Sequence, residues 1–236
     1  MAEEFEFRDL SDASFWGVDL SRATFRDIDF TGARFTSVRC VDVAIDCEID
    51  RLVVNGVDVT AYVNEHDPWF PLRSRVRPTE PDGLRTSWQP FEAAWSDAIE
   101  RVRRLPDEQR HASVDGGWSF VQTLRHLVFA TDKWFTVAVL GEAFHPLGLP
   151  NTGSLDFGWP GLDLTATPSF DEAVAAWQDR SAKVGRYVES FDPAAWDVEA
   201  DVLENGPHAV HDCVGVVFEE HFEHLRYALR DLDRLA

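Results

Sequence analysis

Glu220, His221 and His224, side chains able to ligate a metal, lie within about one helical turn near the C-terminus, in Phe218-Glu219-Glu220-His221-Phe222-Glu223-His224. On a helix His221 and His224 are one turn apart and Glu220 precedes His224 by four residues, so either pair shares a face. A helical wheel sets His221 in the flank of the apolar stripe Val214, Phe218, Phe222, Leu225, Leu229 and Leu232, with His224 at its edge and Glu220 beyond it. Neutral imidazole suits zinc, nickel or iron, and a neighbouring carboxylate can ligate or orient. The plain alternative is that the histidines are core groups satisfied by hydrogen bonds. Residues of one helix do not close a site, and the other histidine in a predicted helix interior is His126, in Leu124-Arg125-His126-Leu127. It lies off the main stripe of its own helix, beside Phe129, Ala130 and Val137, so it is buried only if that helix is covered nearly all round. Three histidines, or two with Glu220, around an open position form a set in which a metal acts as a Lewis acid and activates water or a thiol.

The elements that must position these residues are four helices. The first runs from about Trp88 to Leu105, with Phe91, Trp95, Ala98 and Val102 as its stripe and Pro106 as its stop. The second opens at the capping box Ser119-x-x-Gln122 and carries Val121, Leu124, Val128, Phe135 and Val139 as far as Gly141. The third opens at Ser169-x-x-Glu172 after Pro168 and uses Val174, Trp177, Val184 and Val188; the fourth runs from about Ala209 to the end. Between the second and third lies a Gly- and Pro-rich stretch, Gly141 to Pro168, with Phe144-His145-Pro146 and Trp159-Pro160-Gly161. Loops of this length are usually functional covers or crossovers. It permits the helices it joins to run parallel, and its aromatic content places it on the bundle. His145 is expected to be structural or exposed.

The chain begins differently. Apolar residues recur at every fifth position, Phe5, Leu10, Phe15, Leu20, Phe25, Phe30 and Phe35, followed by Cys40 and Ile45. A smaller ladder, Ala13, Val18, Ala23, Ile28, Ala33, Val38 and Val43, stands two residues before the large ones. Neither helix nor flat strand has that period. Ala13-Ser14-Phe15, Val18-Asp19-Leu20 and Ala23-Thr24-Phe25 resemble pentapeptide repeats over about residues 5 to 49, which implies a right-handed quadrilateral β-helix. So short a stack needs neighbours. In Leu52-Val53-Val54-Asn55-Gly56-Val57-Asp58-Val59 the Asn-Gly pair between β-formers predicts a two-residue hairpin, expected to cap the coil. Residues 64–86, with Pro68, Pro71, Pro78 and Pro81, read as an extended linker. The expected domains are therefore 1–63, with linker 64–86 and bundle 87–236.

Composition narrows the function. The 236 residues are 44% hydrophobic, enough for a substantial core, and 22 Lys plus Arg against 42 Asp plus Glu give a net charge of −20. That charge opposes nucleic-acid phosphates and anionic lipid, so neither nucleic acid nor membrane is an expected partner. No stretch is apolar and long enough to span a bilayer, and Met1-Ala2-Glu3-Glu4 has the wrong charge for a signal peptide, so a cytoplasmic location is expected. Cys40, Cys47 and Cys213 have neither disulfide-framework nor zinc-site spacing, and Cys213 reads as an inert core residue. P-loop, dinucleotide, nucleophile-elbow and H-E-x-x-H motifs are absent.

Taken together, Trp118-Ser119 opening the second helix, Leu124-Arg125-His126-Leu127 with Trp134 following, and Glu219-Glu220-His221-Phe222-Glu223-His224-Leu225-Arg226-Tyr227 in the last helix resemble the DinB/YfiT-like superfamily over about residues 87 to 236. The resemblance implies a mainly α four-helix bundle of unusual helix order. It also implies a divalent metal held by one histidine of the second helix and an H-x-x-x-H pair in the fourth. Here Leu225 occupies the second position of that pair, which leaves His221-x-x-His224 or Glu220-x-x-x-His224, or a degenerate site without metal. The implied activity is that of a metal-dependent thiol S-transferase or hydrolase, with a small-molecule thiol or an electrophile as partner; a homodimer is also compatible. The competing function is a non-catalytic interaction module that acts through the acidic repeat segment, the bundle being its scaffold.

Overall fold

The computed structural model describes residues 4–5, 8–26, 28–151 and 158–235, so residues 152–157 of the long loop and the first three residues of the N-terminus lie outside the described residues. The chain divides into two compact units, Met1–Asp46 and Cys47–Ala236.

In the first unit the five-residue period becomes a series of corners. The amides of Ala13, Ala23 and Ala33 donate to the carbonyls of Leu10, Leu20 and Phe30 at 2.9–3.0 Å. The third residue of each turn, Asp12, Arg22 or Gly32, has positive φ. Asp9, Asp19 and Asp29 accept from the backbone amides of Ser11, Ser21 and Thr31 at 2.7–2.9 Å, which fixes the entry to each corner. The described residues of this unit include no strand, and large ladder residues are open, Phe15 at 62% and Phe35 at 68%. Phe30 meets Phe25 and Phe35 edge-on, so rings are in contact along the chain without being enclosed.

The second unit opens with the hairpin β1 (Val53–Val54) and β2 (Val57–Asp58), where Asn55 and Gly56 both take positive φ, as an Asn-Gly turn requires. Helices α1 (Thr60–His66) and α2 (Phe70–Arg73) follow. Residues 64–86 therefore do not form the extended linker that four prolines suggested. Pro71 sits in the first turn of α2, Pro81 at the first turn of α3 (Pro81–Arg103), and Trp69, Leu72 and Val76 pack on the bundle core. Helix α3 starts seven residues before Trp88 and tolerates Pro90: the carbonyl of Thr86, which that proline cannot reach, accepts instead from Arg75 Nη1 at 3.3 Å. The short helix α4 (Asp107–Arg110) leads to α5 (Phe120–Thr131), which continues into a π-helical turn, Asp132–Val137. Then come α6 (Phe170–Glu189), the hairpin β3 (Glu199–Asp201) and β4 (Pro207–Ala209), and α7 (Val210–Leu235). Both capping boxes are formed in full, Ser119 with Gln122 and Ser169 with Glu172.

The unit is mainly α. Helix α5 packs on α6 and α7, and α3 packs on the same two, so α3 and α5, the first two long helices in sequence, both face α6 and α7. Around Trp95, Leu124, Val128, Trp177 and Leu225 one half of the core closes; around Trp88, Phe91, Phe135, Val184, Phe218 and Phe222 the other does. Cys213 is fully buried there, as expected, and burial pushes its thiol up to about 11. Among the described residues no helix is long and apolar enough to cross a membrane.

Phe218 is fully buried, stacked on Trp88 at 5.6 Å and tilted against Phe91 at 5.7 Å. Phe218→Ala is expected to lower unfolding free energy by about 3–5 kcal/mol in urea titration; a loss below about 1 kcal/mol would mean that this ring is not closely packed.

Candidate metal centre between the second and fourth long helices

Every residue of α5 except Gln122 is buried, so His126 and Arg125 are enclosed although neither lies on the main apolar stripe. His126 Nδ1 lies 3.0 Å from the carbonyl oxygen of Leu149, which can only accept; the nitrogen must carry a proton, and Nε2 points the other way. Nε2 faces Glu220 Oε2 at 3.2 Å, and His224 Nε2 approaches the same oxygen at 3.2 Å. One ligand atom from each of the three lies within 4.8 Å of the others. Ligands at 2.0–2.1 Å from a tetrahedral zinc stand about 3.3 Å apart, so the two short separations match such an ion, and the third, within 4.8 Å, would have to close by up to about 1.5 Å. The donor set fits as well, since two imidazoles and one carboxylate suit a borderline cation.

The site opens outward: the side chains of His126, His224 and Glu220 are 6%, 18% and 31% exposed. Trp118, just before the α5 cap, covers it with its ring 4.4 Å from that of His126 and stacked on His224 at 5.8 Å. Tyr227 meets His224 edge-on. Burial would raise the Glu220 carboxyl, but hydrogen bonds with His126 and His224 and the charge of those rings outweigh it and hold the group well below the ordinary carboxylate range.

His221, expected alongside His224 as the alternative partner, is elsewhere. It is 1% exposed, its Nδ1 donates to the carbonyl of Val217 at 2.8 Å, and its Nε2 accepts from Trp177 Nε1 at 3.2 Å. Both ring nitrogens are thus occupied inside the core, between Trp88, Trp95 and Trp177. Of the two spacings open in the sequence, the structure brings Glu220 and His224 to His126 and leaves His221 apart. One residue of helix is about 100° of rotation, enough to divide neighbours between core and seam.

Sequence reasoning did not find the groups that hold the site from behind. Asp132, fully buried, accepts from Arg180 Nε at 2.6 Å, from Thr136 Oγ1 and from the amide of His145 at 2.6 Å. That node fixes the start of the long loop, and His145 has the structural role expected of it. The signal available was a charged pair, Asp132 and Arg180, set in otherwise apolar helix faces, but its two members are 48 residues apart and nothing local joins them.

A sequence model of the DinB superfamily matches residues 90–228, and one of pentapeptide repeats matches eight copies over residues 5–39. The first spans His126, Glu220 and His224. No curated protein and no solved structure matches the chain.

Burial pushes the His221 imidazole down to about 4 from 6.5, against the opposing effects of the Val217 carbonyl and Glu220. Between those pH values the unfolded ring takes up a proton that the folded ring refuses, so stability falls as pH falls through that window, by roughly 3 kcal/mol from this group. His221→Phe, less stable at pH 7 through loss of the Trp177 acceptor, is expected to show a flatter decline from pH 6.5 to pH 4. Parallel profiles for the two proteins would show that His221 does not carry the effect.

Proposed function

The chain belongs to the DinB superfamily, and on that premise we propose that the bundle is a divalent-metal-binding protein with His126 Nε2, His224 Nε2 and a Glu220 oxygen as ligands. The observation that carries this reading is the convergence of three ligand atoms from two helices on one point, with the carboxylate in place of a third histidine. His221, enclosed and bonded at both nitrogens, is not part of the set. Zinc or nickel is the expected ion. When bound, such an ion supplies Lewis acidity, which stabilises the anion of a water molecule or a low-molecular-weight thiol at the open position. The reaction class that follows is transfer of that nucleophile to an electrophile, as a thiol S-transferase or a hydrolase.

The residues of the chain do the rest. Nδ1–H of His126 is anchored on Leu149 and directs Nε2 toward Glu220. Trp118 lies against both imidazoles and limits their rotation and the entry of water from that side. With neutral imidazoles Glu220 gives the ligand set a single negative charge, so a divalent ion leaves it one positive charge and an affinity for an anionic nucleophile.

Purified protein stripped of metal is expected to take up one equivalent of zinc or nickel by elemental analysis after dialysis, with a raised melting temperature. His126→Ala, Glu220→Ala and His224→Ala should each weaken binding by more than tenfold, whereas His221→Phe keeps it. No stoichiometric uptake by the wild type, or equal loss in the His221 variant, would refute this ligand set.

A further inference from the structure

Behind the proposed ligands lies a buried cation with an unusual set of partners. Arg125 is 7% exposed, and its guanidinium donates only to backbone carbonyls, from Nε to Leu147 at 2.9 Å and from Nη1 to Ala166 at 2.8 Å. Its Nη2 is buried without a partner, and among the described residues no carboxylate is within hydrogen-bond reach of the guanidinium. Burial pulls the guanidinium below its ordinary range, and the charge of Asp163, outside hydrogen-bond reach, offsets that only in part; a leucine or methionine would fill the same place in an apolar helix at no such cost. What Arg125 secures instead is one short run of backbone.

That run, residues 145–149, lies along α5. Its first amide, of His145, donates to Asp132; the Leu147 amide donates to His145 Nδ1 at 3.1 Å; and the Pro146 carbonyl accepts from the Asp163 amide at 2.8 Å. Gly148 lies where a Cβ would stand 3.0 Å from Leu162 Cδ2 and 3.3 Å from the His145 oxygen, both tight, and 3.4 Å from Phe129 Cα of the helix, an ordinary contact. The Leu149 amide then donates to the carbonyl of Arg125 itself at 3.0 Å, and the Leu149 carbonyl receives His126 Nδ1–H at 3.0 Å. Arg125 therefore grips the strap from both its side chain and its backbone, immediately before the residue that the strap contacts.

We infer that Arg125 and the 145–149 strap are positioning elements for His126: by presenting the Leu149 carbonyl they hold Nδ1 as the protonated nitrogen, fix the ring plane, and leave Nε2 directed at Glu220 and His224. The inference rests on His126 as a ligand for its consequence in metal affinity, but the hydrogen bond itself is measurable without metal. Outer partners of this kind tune both the orientation and the basicity of a ligating imidazole. Gly148 is the second element of the device, since a Cβ there is crowded by the His145 oxygen and by Leu162 Cδ2 and would shift the strap by a few tenths of an ångström while leaving the guanidinium in place.

The test uses nitrogen-15-labelled full-length protein, with proton–nitrogen spectra of the imidazole region recorded with and without zinc, and zinc affinity by competition with a chelator. The His126 Nδ1–H resonance is assigned by its absence from His126→Gln. In the wild type it should be present and slow to exchange with solvent. Arg125→Met should lose it to fast exchange and bind zinc about 10–100-fold more weakly, while Arg125→Lys, which keeps a buried donor for a carbonyl, recovers part of both. Gly148→Ala should reproduce the loss with Arg125 intact, and it carries the test if Arg125→Met does not fold. A resonance that persists unchanged in both the Met and the Ala variant, or that is missing from the wild type, overturns the inference, as does unaltered zinc affinity in both variants. If the wild type binds no zinc yet shows the protected proton, and the variants lose it, the metal reading fails and the positioning role stands.

Discussion

Helix α5 has almost no solvent face, and that enclosure governs the rest of the unit. A polar side chain on a helix with one wet side can turn outward; on α5 each one must find a partner in the protein. His126 finds a backbone carbonyl on one side and Glu220 on the other, Thr123 returns to the carbonyl of Ser119, and Asp132, just past the helix, gathers Arg180, Thr136 and the His145 amide. The covering that imposes these bonds comes from α6, α7 and the long loop, so loop and site are parts of one arrangement. The small cluster of Phe129, Phe144 and Trp159 presses the loop onto the same helix.

Helix α7 solves the opposite problem, with a wide apolar face and a narrow seam toward α5. Val214, Val217, Phe218, His221, Phe222 and Leu225 are buried, while Glu220 and His224 stand half-buried at the margin. A histidine on the apolar face can persist only as a neutral ring with both nitrogens bonded, which is the state of His221 between Val217 and Trp177. At the margin the same residue type, as His224, meets Glu220 in a partly open seam. Burial and exposure thus give two histidines three positions apart entirely different roles.

One correction to the sequence reading has a plain physical cause. Residues 64–86 form short helices where an extended linker was expected, because a helix of four to seven residues leaves no periodic signature and prolines in a first turn resemble prolines in a linker. The five-residue ladder identifies the repeat, which the family comparison also finds, yet the period says which side chains are equivalent and not whether they become enclosed.

By itself the sequence determined the long helices, both capping boxes, the Asn55-Gly56 turn and a short roster of residues able to bind metal, because each depends on spacing along one segment. It also placed the chain in its superfamily through the same local patterns. Only the tertiary structure decided that Glu220, and not His221, meets His126, and that Arg125 and the Leu149 carbonyl stand behind it. Those choices turn on the rotation of α7 against α5 and on the path of a loop. Such quantities are set by packing between segments far apart in sequence, and no local pattern encodes them.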